Sequence, residues 1–143
     1  MRKIVVFMVS IIMTISLFAA KPLKVGIVLS TGGLGDKSFN DSAYKGLIKA
    51  KEELGVDFKY VEPASPAEDE EFLREYADAN YDLVIATGFQ MTEAVRAVAS
   101  DYPEINFLMV DTFIDLPNVK SAVFREDEGC LLYTSPSPRD GLL

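Results

Sequence analysis

The stretch from Val25 to Asn40, VGIVLSTGGLGDKSFN, gathers the side chains best suited to hold a small molecule. A short apolar run ends in a glycine-rich polar turn, and the turn leads into a helical apolar stripe. In an open parallel sheet, strand carboxyl ends and helix amino ends converge at such a junction, and ligands are gripped there. Ser30, Thr31 and Ser38 supply hydroxyls, Phe39 an aromatic face, and Asn40 an amide that can both donate and accept. An aromatic plate beside an amide suits a flat polar ligand better than a bare phosphate. Two more clusters fall where other strands should end: Thr87-Gly88-Phe89 and Asp111-Thr112. The candidate ligand-binding residues are therefore Ser30, Thr31, Ser38, Phe39, Asn40, Gly88, Phe89 and Asp111. Phe39 has two readings, a stacking plate or the first core residue of its helix. Asn40 is expected to be free for a ligand, because Ser38 can cap the helix. Asp111 can accept hydrogen bonds from ligand hydroxyls without a partner acid.

Several chemistries are excluded. A P-loop needs G-x-x-x-x-G-K-[ST], but Asp36 precedes Lys37-Ser38 and Thr31 occupies the earlier glycine position; an aspartate in the cradle repels phosphate. The dinucleotide fingerprint fails too, since Ser38 stands where its third glycine belongs. With no histidine and Cys130 the one cysteine, a zinc site, a disulfide framework and Cys–His or Ser–His catalysis have no ligands or bases. A phosphoacceptor role for Asp111 needs acids at the end of the first strand, where Ser30-Thr31 stand. No enzyme chemistry, metal or cofactor is expected. The net charge of −8 grows more negative if Arg2 and Lys3 leave with a leader, which argues against nucleic acid as partner.

The elements that must position these groups alternate. Strands are expected at Leu23–Leu29, Phe58–Val61, Asp82–Ala86, Asn106–Val110 and Val119–Phe124. Three of them contain near-continuous apolar runs, the mark of parallel strands covered on both faces. A first helix carries Phe39, Ala43, Leu47, Ala50 and Leu54 on one stripe, with Ser38 as cap and Gly55 as stop. A second opens on Ser65-Pro66-Ala67-Glu68 as a capping box, and its acids Glu68 to Glu71 read as a solvated face that offsets the helix dipole. A third, near Met91–Ser100, buries Ala94, Val95, Val98 and Ala99; Met91 is expected to pack, and Asp36 and Asp115 to sit in turns. The fold class this predicts is α/β, a doubly wound parallel sheet with helices on both faces.

The two ends read differently. Met1-Arg2-Lys3, an apolar stretch to Phe18 and Ala19-Ala20 are expected to form an export signal over residues 1–20, with a retained anchor as the alternative. The string from Cys130 to Asp140, CLLYTSPSPRD, resembles a translated sequencing adapter, so residues 130–143 are expected to be a non-native tail. Residues 21–129 then form the globular part.

The run from Gly26 to Asp41, together with YDLVIATGF over Tyr81–Phe89, Asp111 and Leu116-Pro-Asn-Val119, resembles the basic membrane protein family, the substrate-binding lipoproteins of nucleoside ABC importers. GDKSFN is its most specific element. The resemblance implies the first lobe of a type I periplasmic binding protein, truncated, in which two lobes close on a purine nucleoside and dock on a membrane permease. It implies that Phe39 stacks on the base and that Ser30, Ser38, Asn40, Gly88 and Asp111 line base and ribose. The family's lipid-modified cysteine is not found near residue 20, and the second lobe, with its opposing aromatic, is not in the matched stretch. Such a receptor is exported, to the periplasm or the outer face of the cytoplasmic membrane. The alternatives are a sugar or autoinducer receptor of the same fold, or a flavodoxin-like signalling domain.

Overall fold

The computed structural model describes residues 21–125 and residue 128, so the expected export signal and the expected tail lie outside the described residues. Five strands alternate with helices: β1 (Lys24–Val28), α1 (Phe39–Leu54), β2 (Asp57–Val61), α2 (Asp69–Asp78), β3 (Leu83–Thr87), α3 (Thr92–Asp101), β4 (Asn106–Val110) and β5 (Val119–Ala122). They form one all-parallel sheet in the order β2-β1-β3-β4-β5. The first connection leads outward from β1 to β2 and the second returns across it to β3, so helices cover opposite faces. This is the doubly wound arrangement that the alternation predicts.

Strand periodicity decides which side chains meet which helices. Val28, Val84, Ala86, Phe107 and Met109 point to one face, where Leu73, Tyr76 and Ala77 of α2 and Val95, Val98 and Ala99 of α3 complete the larger core. Val25, Ile27, Leu29 and Ile85 point to the other face and pack on Leu47, Ala43 and Ala50 of α1. Ile27, Leu29, Phe107 and Met109 are almost wholly buried. Each such side chain contributes about 1.5–3 kcal/mol, so the sheet and not helix propensity holds the frame. Gly26 sits under the ring of Tyr76; a Cβ built there would lie 2.7 Å from two ring carbons.

Two helix starts differ from expectation. Ser38 makes no side-chain capping bond to α1. Asp36 caps instead: Oδ2 accepts from the Asn40 amide at 2.9 Å, and Oδ1 from the Ser38 and Asp41 amides at 2.9 and 3.2 Å. An aspartate two residues earlier has two acceptor oxygens and reaches three amides that one hydroxyl could not serve. Gly55 ends the helix in the left-handed region at φ 68°, as its position predicts. Ser65 does not cap either, and a 3-10 turn over Pro66–Glu68 precedes α2. The returning bond of that capping box is displaced by one residue, with the Glu68 carboxylate accepting from the Ala64 amide at 2.9 Å instead of from Ser65. Nor is the acidic run wholly solvated: Asp69 is 2% exposed.

Candidate functional site

The strands are parallel, so the loops after β1, β3 and β4 share the carboxyl rim of the sheet. Thr87, the last residue of β3, ties two of them together. Its Oγ1 accepts from the Ser30 amide at 2.9 Å and donates to the Val28 carbonyl at 3.2 Å. Gly88 follows at φ 99°, a conformation open to glycine, and a Cβ there would lie 3.1 Å from Cβ of Ser30. The two loops thus touch at Ser30 and Gly88.

Asn40 corrects the expectation of a free amide. It is 2% exposed. Its Oδ1 accepts from the Ser30 amide at 3.1 Å and from Ser30 Oγ at 2.9 Å. Its Nδ2 donates to the carbonyls of Gly33 at 3.0 Å and Ser30 at 3.3 Å. With both ends of the amide engaged, Asn40 fixes the shape of the glycine-rich loop and presents Ser30 at its base.

Three carboxylates hold the rest of that loop. Glu62, just beyond β2, accepts from the Leu34 amide at 2.7 Å. Asp41 accepts from the amides of Gly35 at 2.8 Å and Lys37 at 3.0 Å. Asp36 serves the first turn of α1 as described, and its carboxyl is held below the usual carboxylate range by the backbone amides of Ser38 first and Asn40 next.

Phe39, the first residue of α1, is half-buried, and its ring meets that of Phe124 edge-on at 6.2 Å between centroids. Asp111 follows β4 directly at φ 83°, and its amide donates to the Ala122 carbonyl at 2.8 Å. Phe124 lies two residues beyond that carbonyl, so the ring pair stands near the backbone that carries Asp111. Thr31, Ser38 and Phe89 are exposed, Phe89 at 66%. The structure therefore joins Ser30, Asn40 and Gly88 into one knot, and places Phe39 and Asp111 on the same rim. Among the described residues, no group of three or more Asp, Glu, His or Cys side chains is arranged to hold a metal ion.

Sequence alone assigns no role in the site to Glu62, Asp41 or Phe124. Glu62 has a legible signal: it follows the second strand, at the same rim as Ser30, Thr87 and Asp111. Phe124 was expected inside the last strand, but β5 stops at Ala122 and releases it.

A doubly wound parallel sheet of this kind is the architecture of one lobe of a periplasmic binding protein. The chain belongs to the PnrA-like family of ABC transporter substrate-binding proteins (Bmp), whose sequence profile matches residues 23–133. It is 39% identical over 116 residues to an uncharacterized lipoprotein of Pyrococcus abyssi, covering 79% of this chain and 29% of that protein. The nucleoside-binding protein BmpA of Lactococcus lactis is 33% identical, over 77% of this chain and 33% of its own length. A solute-binding protein of an Aeropyrum pernix ABC transporter superposes with a TM-score of 0.74 at 38% identity, covering 78% of this chain and 31% of that one. The chain thus spans about a third of the length of these relatives.

Proposed function

We propose that this chain supplies the first of two lobes of an exported receptor that delivers a purine nucleoside to an ABC importer's permease. The observation that carries this reading is the half-buried Phe39 ring at the carboxyl rim, with Phe124 at its edge and Asp111 on the same rim. A half-buried ring with a second aromatic set edge-on beside it is suited to stacking on a base. Asp111 would accept the ribose hydroxyls, and Ser30, held by Asn40 and Thr87, would offer its hydroxyl at the floor of the crevice. Thr31, Ser38, Gly88 and Phe89 would complete this lobe's side of the pocket. The name of the Lactococcus relative supports a nucleoside over other solutes. No catalytic step, metal or cofactor enters this reading.

In mechanism, the ligand bridges two lobes and stabilises the closed form, which is the form the permease docks. Stacking on one aromatic contributes roughly 1–3 kcal/mol, too little for tight binding by one lobe. Calorimetry on a chain extended to the relatives' length should therefore show saturable binding of adenosine, inosine or guanosine, and the chain as it stands should show weak binding or none. Binding of free sugars but of no nucleoside by the extended chain would overturn the reading in favour of a sugar receptor.

A further inference from the structure

The junction where β1 turns into α1 is where open α/β sheets ordinarily hold a ligand's phosphate, on exposed loop amides and the positive end of a helix. Here those donors are already occupied by the chain's own carboxylates. Asp36 takes the amides of Ser38, Asn40 and Asp41. Asp41 takes those of Gly35 and Lys37, and Glu62 that of Leu34. Asn40 takes the Ser30 amide as well. Six amides from Leu34 to Asp41 thus face three negative charges supplied from within.

The geometry points to Asp36, Asp41 and Glu62 as an anion filter: they fill the phosphate position of the fold, so that the crevice admits a neutral ligand and rejects its phosphorylated form. This deepens the nucleoside reading and rests on it for the choice of ligand, predicting a nucleoside receptor closed to the corresponding nucleotide. The electrostatic reason is simple. An incoming phosphate would meet three carboxylates and few unengaged donors, and like charges at close range repel even in the high dielectric of water. Glu62 lies just beyond β2, far from the loop in sequence, and it engages the Leu34 amide, which the two local aspartates leave open.

The test uses inorganic phosphate as probe, so it reads the loop whether or not a nucleoside binds. In the isotope-labelled chain, the amide resonances of Leu34, Gly35, Ser38 and Asn40 should show no saturable shift as phosphate is titrated at constant ionic strength. In the Asp36→Asn/Glu62→Gln variant, which keeps an acceptor oxygen at both positions, the same resonances should shift saturably, with phosphate affinity raised roughly tenfold or more. If that variant does not fold, as judged by the β1 and β3 resonances, Glu62→Gln alone is read in its place. Saturable phosphate shifts at these amides in the unaltered chain would overturn the filter, as would their absence in a folded variant. Failure of the nucleoside reading would appear elsewhere, as missing calorimetric heat with adenosine.

Discussion

The ring of Phe39 meets the ring of Phe124 edge-on, at 6.2 Å and an interplanar angle of 67°. The contact links the start of α1 to the segment that leaves β5, across the carboxyl rim of the sheet. Edge-to-face geometry orients a ring without covering both of its faces. Phe39 is not part of the core around Leu47, and the proposed role as a plate for a ligand can be tested directly. In a chain of the relatives' length, Phe39→Ala should weaken nucleoside binding by about tenfold or more, consistent with roughly 1–3 kcal/mol for stacking. Phe39→Leu, which retains bulk without the aromatic face, should lose nearly as much affinity while leaving the denaturation midpoint almost unchanged. Calorimetry and urea unfolding separate the two roles: a Leu variant that binds normally would make Phe39 a packing residue.

Asp111 holds a left-handed backbone, φ 83°, that non-glycine residues rarely adopt. A residue kept in such a conformation costs of order 1–3 kcal/mol, and the cost is tolerated where a side chain is needed in place. Asp111→Gly should therefore be about 1 kcal/mol more stable than Asp111→Ala, because glycine alone relieves the strain. Both variants should lose nucleoside affinity in the extended chain. Equal stabilities would show that the backbone at 111 is not strained, and retained affinity would remove the carboxylate from the ribose.

The frame was legible from the chain because two periods dominate it. Continuous apolar strands and the stripe Ala43-Leu47-Ala50 fixed the sheet and α1, down to Gly55 as terminator. What sequence could not resolve were competitions among polar groups of similar ability. Ser38 and Asp36 both could cap α1, and the aspartate won because it reaches three amides. Asn40 looked available only while Ser38 held the cap. In three dimensions its amide is spent on Ser30 and Gly33, contacts that arise from loop closure and leave no periodic trace. Glu62 engages Leu34 across 28 positions of chain, a pairing that only the β1–β2 register brings about.

Gly26 and Tyr76 form a close pair of another kind. The ring covers β1 where a methyl group cannot fit, 2.7 Å from the nearest ring carbons. Gly26→Ala should cost about 1–3 kcal/mol by forcing Tyr76 off the sheet. Tyr76→Leu should relieve that clash, so the double variant should be less destabilised than the two single changes added together. Because the Tyr76 hydroxyl is buried with no hydrogen-bond partner, Tyr76→Phe should be neutral or stabilising, where loss of a made bond usually costs about 1 kcal/mol. Burial pushes that hydroxyl well above the ordinary tyrosine range, which agrees with its isolation. Additive losses in the double-mutant cycle would show that the contact is not the source of the cost.

Asp69 gives the fold a pH dependence of its own. It opens α2 with one carboxylate oxygen buried and without a partner. Burial first, and the neighbouring charge of Glu68 second, push its carboxyl above the ordinary carboxylate range. The folded state then holds this proton more tightly than the unfolded chain does. Its contribution to stability is fully present below the unfolded value and is lost as pH rises through the raised one. Asp36 behaves oppositely: its depressed carboxyl contributes above the unfolded value and loses that contribution as pH falls through the lowered one. Asp69→Asn keeps the shape and removes the titration. Relative to wild type, the variant should therefore gain stability as pH rises from about 4 towards 7, and the difference should level off once the wild-type carboxyl is ionised. Urea midpoints measured across that range test this, and parallel curves for the two proteins would show that residue 69 is not held in a raised state by the fold.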